Sequence, residues 1–217
     1  MGAIQYSLFA LAGLLSTANS LPYQSAAQTL QSQQPLLTGL PSNSNVTLQY
    51  VALGVGNQNY TCDGTSYVQT KSSDGALAML YDATPYLASN PSAIGSLASD
   101  RVAKVEEGMC DDETNSNPEL EYLGQHFFTS QMVPTFDLYM ADPELKLSGS
   151  KVSAVPAPVA DAVSWLYLLD CGDGTSNGLN TVYRVETAQG VAPSSCTAEE
   201  KGKQLAVTYA AEYWFYN

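Results

Sequence analysis

The sequence predicts an all-β protein: a single-domain antiparallel β-sandwich or flattened barrel with one long, partly helical loop. Three observations carry that expectation. First, Leu205 to Tyr216 alternates with period two, with Leu205, Val207, Tyr209, Ala211, Tyr213 and Phe215 on one face and Ala206, Thr208, Ala210, Glu212, Trp214 and Tyr216 on the other. Successive strand side chains point to opposite faces, so this is a long strand with one apolar and one mixed face. Second, short runs rich in Val, Tyr, Thr and Phe recur between Gly, Pro and Asn turn signals. Third, almost nothing in the chain has helical periodicity. The terminal strand is aromatic enough to invite aggregation at an open edge, which places it centrally.

Taken in order, the chain opens with a short apolar run, Tyr6 to Leu15, followed by small residues at Ala18 and Ser20. The run is too short to span a bilayer and fits a signal peptide over residues 1–20, so the protein is expected to be secreted and extracellular. Residues 21–46 are rich in Gln, Ser, Pro and Asn and are expected to be a flexible lead-in with no fold of its own. The β-domain spans 47–217. Its first strand runs from Thr47 to Val55, and Asp63-Gly64 turns the chain back through Ser66 to Thr70. Residues 82–121 read as a long insertion-like loop with one short helix between Ala93 and Val105, tethered by Cys110. Strand signals resume at Tyr122 to Phe128 and Thr135 to Met140. Lys151 to Val155 leads into a stiff Pro156-Ala157-Pro158 connector. Ser164 to Leu169 suits a strand buried on both faces, and Thr181 to Thr187 alternates cleanly.

Lys and Arg number 8 against 21 Asp and Glu, a formal charge of −13. Such a chain repels nucleic acid and anionic membrane surfaces, and no later stretch is apolar for long enough to span a membrane. Four cysteines, Cys62, Cys110, Cys171 and Cys196, read as two disulfides in an oxidising compartment, with three connectivities open. Asn45-Val46-Thr47 and Asn59-Tyr60-Thr61 are N-glycosylation acceptors, at Asn45 and Asn59.

Several motifs invite chemical readings. Gly54-Val55-Gly56-Asn57-Gln58-Asn59 nearly spells a dinucleotide fingerprint, yet Asn59 replaces the third glycine and a turn follows where a helix is needed. Gly174-Thr175-Ser176-Asn177-Gly178 fits the nucleophile-elbow pattern but is followed by a strand, and the lone histidine, His126, precedes it. No cofactor is therefore expected. Asp170, Asp173 and Asn177 lack the spacing of an EF-hand calcium loop. Asp137, Asp142, Glu144, Glu186 and Glu212 supply carboxylates that could pair for glycoside hydrolysis. Arg184 and Glu212, on neighbouring strands, are expected to form a cross-strand ion pair. His126 is the one candidate ligand-binding residue, through its uniqueness and its aromatic neighbours.

Taken together, Gln49 to Cys62, His126-Phe127-Phe128, Pro134-Thr135-Phe136, Val163 to Leu166, Tyr183 to Thr187, Ala192-Pro193 with Cys196, and Tyr209 to Tyr216 resemble a secreted fungal family with bacterial relatives. That family is defined as a domain of unknown function, and its fungal members are often labelled malate dehydrogenase. The resemblance covers Thr47 to Tyr216 and implies secretion and one domain, without a reaction or ligand. The dehydrogenase label would require a dinucleotide site and a catalytic His with an Arg partner. The residues do not supply them, and the label is rejected. The resemblance also implies that Cys62 pairs with Cys196 and Cys110 with Cys171, since the first two match cysteines of the simpler bacterial members.

Three functions remain. The first is a non-catalytic binding or surface-associated protein, with a polysaccharide or cell-surface component as partner, suggested by 14 tyrosines in a sparsely charged chain. The second is a carbohydrate hydrolase acting through carboxylates with His126 assisting. The third is a structural wall or matrix component.

Overall fold

The computed structural model describes residues 23–70, 73, 75–106 and 120–217. The expected signal peptide and Cys110 lie outside these residues. Nine strands form one antiparallel sheet: β1 (Leu48–Cys62), β2 (Tyr67–Gln69), β3 (Ala76–Asp82), β4 (Glu121–Phe128), β5 (Pro134–Leu138), β6 (Leu145–Val155), β7 (Trp165–Asp170), β8 (Thr181–Gln189) and β9 (Gln204–Tyr216). From β3 to β9 each strand pairs with the next. β1 pairs with β3 on one side and, from Leu48↔Tyr216 to Thr61↔Gln204, with β9 on the other. That second pairing closes an eight-stranded barrel, with β2 as a short flap on the end of β1.

The all-β class is therefore as expected, and of the two architectures the sequence left open the structure is a closed barrel, not a sandwich. Alternation alone cannot separate the two, because an inward face looks the same in facing sheets and in a closed one. β9 is central, held between β1 and β8.

Two apolar cores follow from the two faces of β1, β8 and β9. Inside the barrel, Ala52, Leu80, Leu123, Phe136, Leu138, Leu147, Val182, Tyr209, Ala211, Tyr213 and Phe215 pack together. Outside, Val51, Leu53, Val55, Tyr183, Val185, Trp214 and Tyr216 are covered by helices. These helices are α1 (Tyr23–Gln31), α2 (Thr84–Ser89) and α3 (Leu97–Glu106). From Ala210 to Tyr216 the mixed face of β9 is thus buried as fully as the apolar one.

The described part of the expected lead-in, residues 23–46, is not structureless. α1 buries Ala26, Ala27 and Leu30. Tyr23 donates from its hydroxyl to Thr84 Oγ1 at 2.9 Å, and Gln31 bonds both Val46 O and Leu48 N–H. Further along, Pro41 O accepts from the Tyr183 hydroxyl at 2.8 Å. A nine-residue helix is marginal alone, and tertiary packing supplies its stability. β7 also departs from expectation: Trp165 and Leu168 are buried, whereas Leu169, on the same face as Trp165 but further along the strand, is exposed.

Candidate functional site

The interior of the barrel is filled at one end and hollow at the other. Alternation aims Gly54, Gly56, Gln58 and Tyr60 of β1 inward, opposite Ala76 and Ala78 of β3. At Gly54 the Tyr213 ring fills the space a side chain would take, and at Gly56 the β3 backbone does, so the hollow lies beyond them, past Gln58, Tyr60 and Ala76. The result is a cavity of about 740 Å³, open to solvent and lined from β1, β3, β4, β5, β6, β7, β8 and β9.

His126, Phe136 and Tyr213 form an aromatic group in this cavity. The His126 ring stacks on Phe136 with centroids 4.3 Å apart and planes 10° apart, and Tyr213 lies 5.3 Å from Phe136. His126 Nδ1 is 2.9 Å from Thr135 O. A carbonyl only accepts, so Nδ1 carries the proton and Nε2 is the free acceptor. Burial lowers the His126 pKa to about 4, with Arg184 adding to the effect, so the ring is neutral at physiological pH. Tyr213 shares a 2.8 Å hydrogen bond with Tyr209, and burial raises the pKa of both phenols.

Arg184 enters the same space from β8. Its register partner is Tyr213, not Glu212. Glu212 sits opposite Val185 on the outer face, so the expected Arg184–Glu212 ion pair does not form. One step along a strand reverses the face. Arg184 Nε and Nη2 both donate to Ser164 O, at 3.2 and 2.8 Å. Among the described residues no carboxylate reaches it, the one ion pair there being Lys146–Asp137 at 3.3 Å. Lys151 also lines the cavity, and no described Asp or Glu does.

The other candidates fall elsewhere. Gly54 to Asn59 run through the middle of β1, with no helix N-terminus to receive a pyrophosphate. Ser176 donates to Asp170 Oδ1 at 2.7 Å and accepts from Ser148 N–H at 2.9 Å, and it forms no part of the cavity wall. Asp170 and Asp173 accept from their own loop, while Asn177 turns away to Glu144 O. Glu186 and Glu212 lie under α3, where burial pushes Glu212 up to about 7 with Glu186 adding to the rise. Neither lines the cavity, and neither do Asp137, Asp142 or Glu144. Asn45 is exposed, and Asn59 is half-buried in β1.

Cys62 and Cys196 form a disulfide that pins the β8–β9 loop to the end of β1. Around it Cys196 N–H donates to Thr65 O and Cys62 N–H to Lys203 O. Cys171 lies at the cavity edge and bonds no described cysteine.

Sequence reasoning found His126 and missed Arg184, Gln58 and Lys151. The usable signal was parity: Val182 and Arg184 share a face, so an inward Val182 takes Arg184 inward too. A family model described as protein of unknown function (DUF3455) matches residues 41–217. No curated protein and no solved structure matches the chain.

Proposed function

We propose, for a chain that belongs to the family described as protein of unknown function (DUF3455), that it is a secreted, non-catalytic protein holding a small molecule in its barrel. The observation that carries this reading is the cavity. Its volume of about 740 Å³ falls in the range of small-molecule sites. Its wall combines apolar side chains, Phe128, Phe136, Leu166 and Leu168, with polar groups that include Gln58, His126 and Arg184. A barrel mouth is a common place for such a site.

The geometry weighs against the hydrolase reading. Glycoside hydrolysis through carboxylates needs two of them across the scissile bond, and no described carboxylate lines the cavity. Five tyrosines, Tyr81, Tyr183, Tyr209, Tyr213 and Tyr216, are buried, and among the described ones Tyr139 alone is exposed, which leaves little open ring surface for a polysaccharide. An enclosed small molecule suits the architecture better. The Cys62–Cys196 disulfide fits the oxidising compartment that secretion implies.

The test is titration with the neutral fluorophore N-phenyl-1-naphthylamine. Saturable, blue-shifted emission is expected, weakened by Ala154→Trp at the exposed cavity edge. Absence of saturable binding, or binding indifferent to A154W, overturns the reading.

A further inference from the structure

The cavity has a chemical polarity that its shape alone does not require. The chain carries 21 acidic residues and 8 basic ones. Yet the wall holds two cations, Arg184 and Lys151, and no described acid. Arg184 is also held rather than loose. An arginine has five N–H donors in a planar fork. Ser164 O takes the Nε hydrogen and one on Nη2, which fixes the plane of the group. The hydrogens on Nη1 and the second on Nη2 point away from that carbonyl, and the guanidinium also donates to the Tyr213 hydroxyl. They form the edge that accepts a two-oxygen anion end-on.

We propose that the cavity binds an amphipathic carboxylate, its head group on the outer edge of Arg184 and its apolar body against Phe136, Leu166 and Leu168. The proposal rests on the binding reading above and names the ligand class for the same cavity. His126 fits the arrangement as a neutral neighbour. Stacked on Phe136 and donating from Nδ1 to Thr135 O, it adds no second charge and presents an aromatic surface to the apolar part of the ligand. Lys151, exposed at the rim, adds a long-range attraction that salt screens.

The experiment displaces N-phenyl-1-naphthylamine with decanoate and, in parallel, with 1-decanol, which has the same chain and no charge. At neutral pH and low salt, decanoate is expected to displace the probe at a concentration about tenfold or more below that of decanol, the scale of a charge-assisted hydrogen bond. In Arg184→Gln the ratio falls to about one. Added salt narrows the ratio in the wild-type protein, a readout that stands even if R184Q does not fold. Equal displacement by the two compounds, or a preference that survives both R184Q and salt, overturns the carboxylate assignment while leaving a binding cavity. Failure of the probe itself to bind overturns the binding reading and this inference with it.

Discussion

The carboxylate of Glu212 accepts a hydrogen bond from the backbone N–H of Gly95 at 3.2 Å, tying the outer face of β9 to the helical segment. Its other oxygen accepts from Trp214 Nε1 at 3.1 Å. Burial outweighs both bonds and raises the Glu212 pKa from 4.5 to about 7. Between those values the native state holds more protons than the unfolded chain. The contribution of Glu212 to stability is therefore full in acid and is lost as pH rises through 7, about 3 kcal/mol in all.

His126 works in the opposite direction. Its pKa falls from 6.5 to about 4 on folding. The unfolded state then binds the extra proton, and a contribution of about 3 kcal/mol is present above 6.5 and lost as pH falls through 4. Between 4.5 and 6.5 the two slopes oppose each other. Asp82 and Glu186, both raised by burial, add to the direction of Glu212. Urea midpoints measured across this window should rise modestly on acidification in the wild type. In His126→Phe they should rise more steeply, and in Glu212→Gln less steeply or not at all. A His126→Phe midpoint that is flat or drops in acid contradicts the assignment.

Replacing both Cys62 and Cys196 by serine should cost roughly 2–5 kcal/mol in urea unfolding at constant pH, the usual range for a native bridge in a secreted domain. Non-reducing peptide mapping should recover the Cys62–Cys196 link, and Cys171 is expected in a peptide joined to Cys110. A peptide joining Cys171 to Cys62 would contradict both.

Gly54 and Gly149 make a matched pair of barrel glycines. A Cβ on Gly54 would lie 2.4 Å from Tyr213 Cε2, so Gly54→Ala must displace a ring that also bonds Tyr209. The expected loss is about 1–3 kcal/mol, as for other overpacked sites. At Gly149 the nearest atoms stand 3.4 Å away, an ordinary contact. Gly149→Ala should change stability by less than about 0.5 kcal/mol. Equal effects of the two substitutions in denaturant titrations would refute the packing argument.

The strands were legible because alternation is a local signal, and β4, β5, β8 and β9 fall close to where it places them. Closure was not, because it depends on which distant edges meet. α1 was missed for a related reason: Tyr23–Gln31 has only Ala26, Ala27 and Leu30 to bury, and the surface that makes them sufficient belongs to β1 and α2. At the candidate site, His126 stood out by being alone. Arg184 was masked by Glu212, an attractive partner on the adjacent strand whose side chain points the other way. β8 compounds this with a register shift after Val185, where Glu186 takes a positive φ of 45°.

The pairing of β1 with β9 has a kinetic consequence. Neighbouring strands from β3 onward can zip together as hairpins, but the seam joins Leu48 to Tyr216 and can form only when nearly the whole domain has been gathered. Contacts of such long sequence separation slow folding, toward the millisecond-to-second range of all-β domains. Until β9 docks, β1 and β8 each expose an unpaired edge, and the aromatic residues of β9 have neither core to enter. A growing chain of this protein interrupted before β9 carries two open strand edges of the kind that aggregate. A cell making it in quantity therefore has to shield those edges until the last strand arrives.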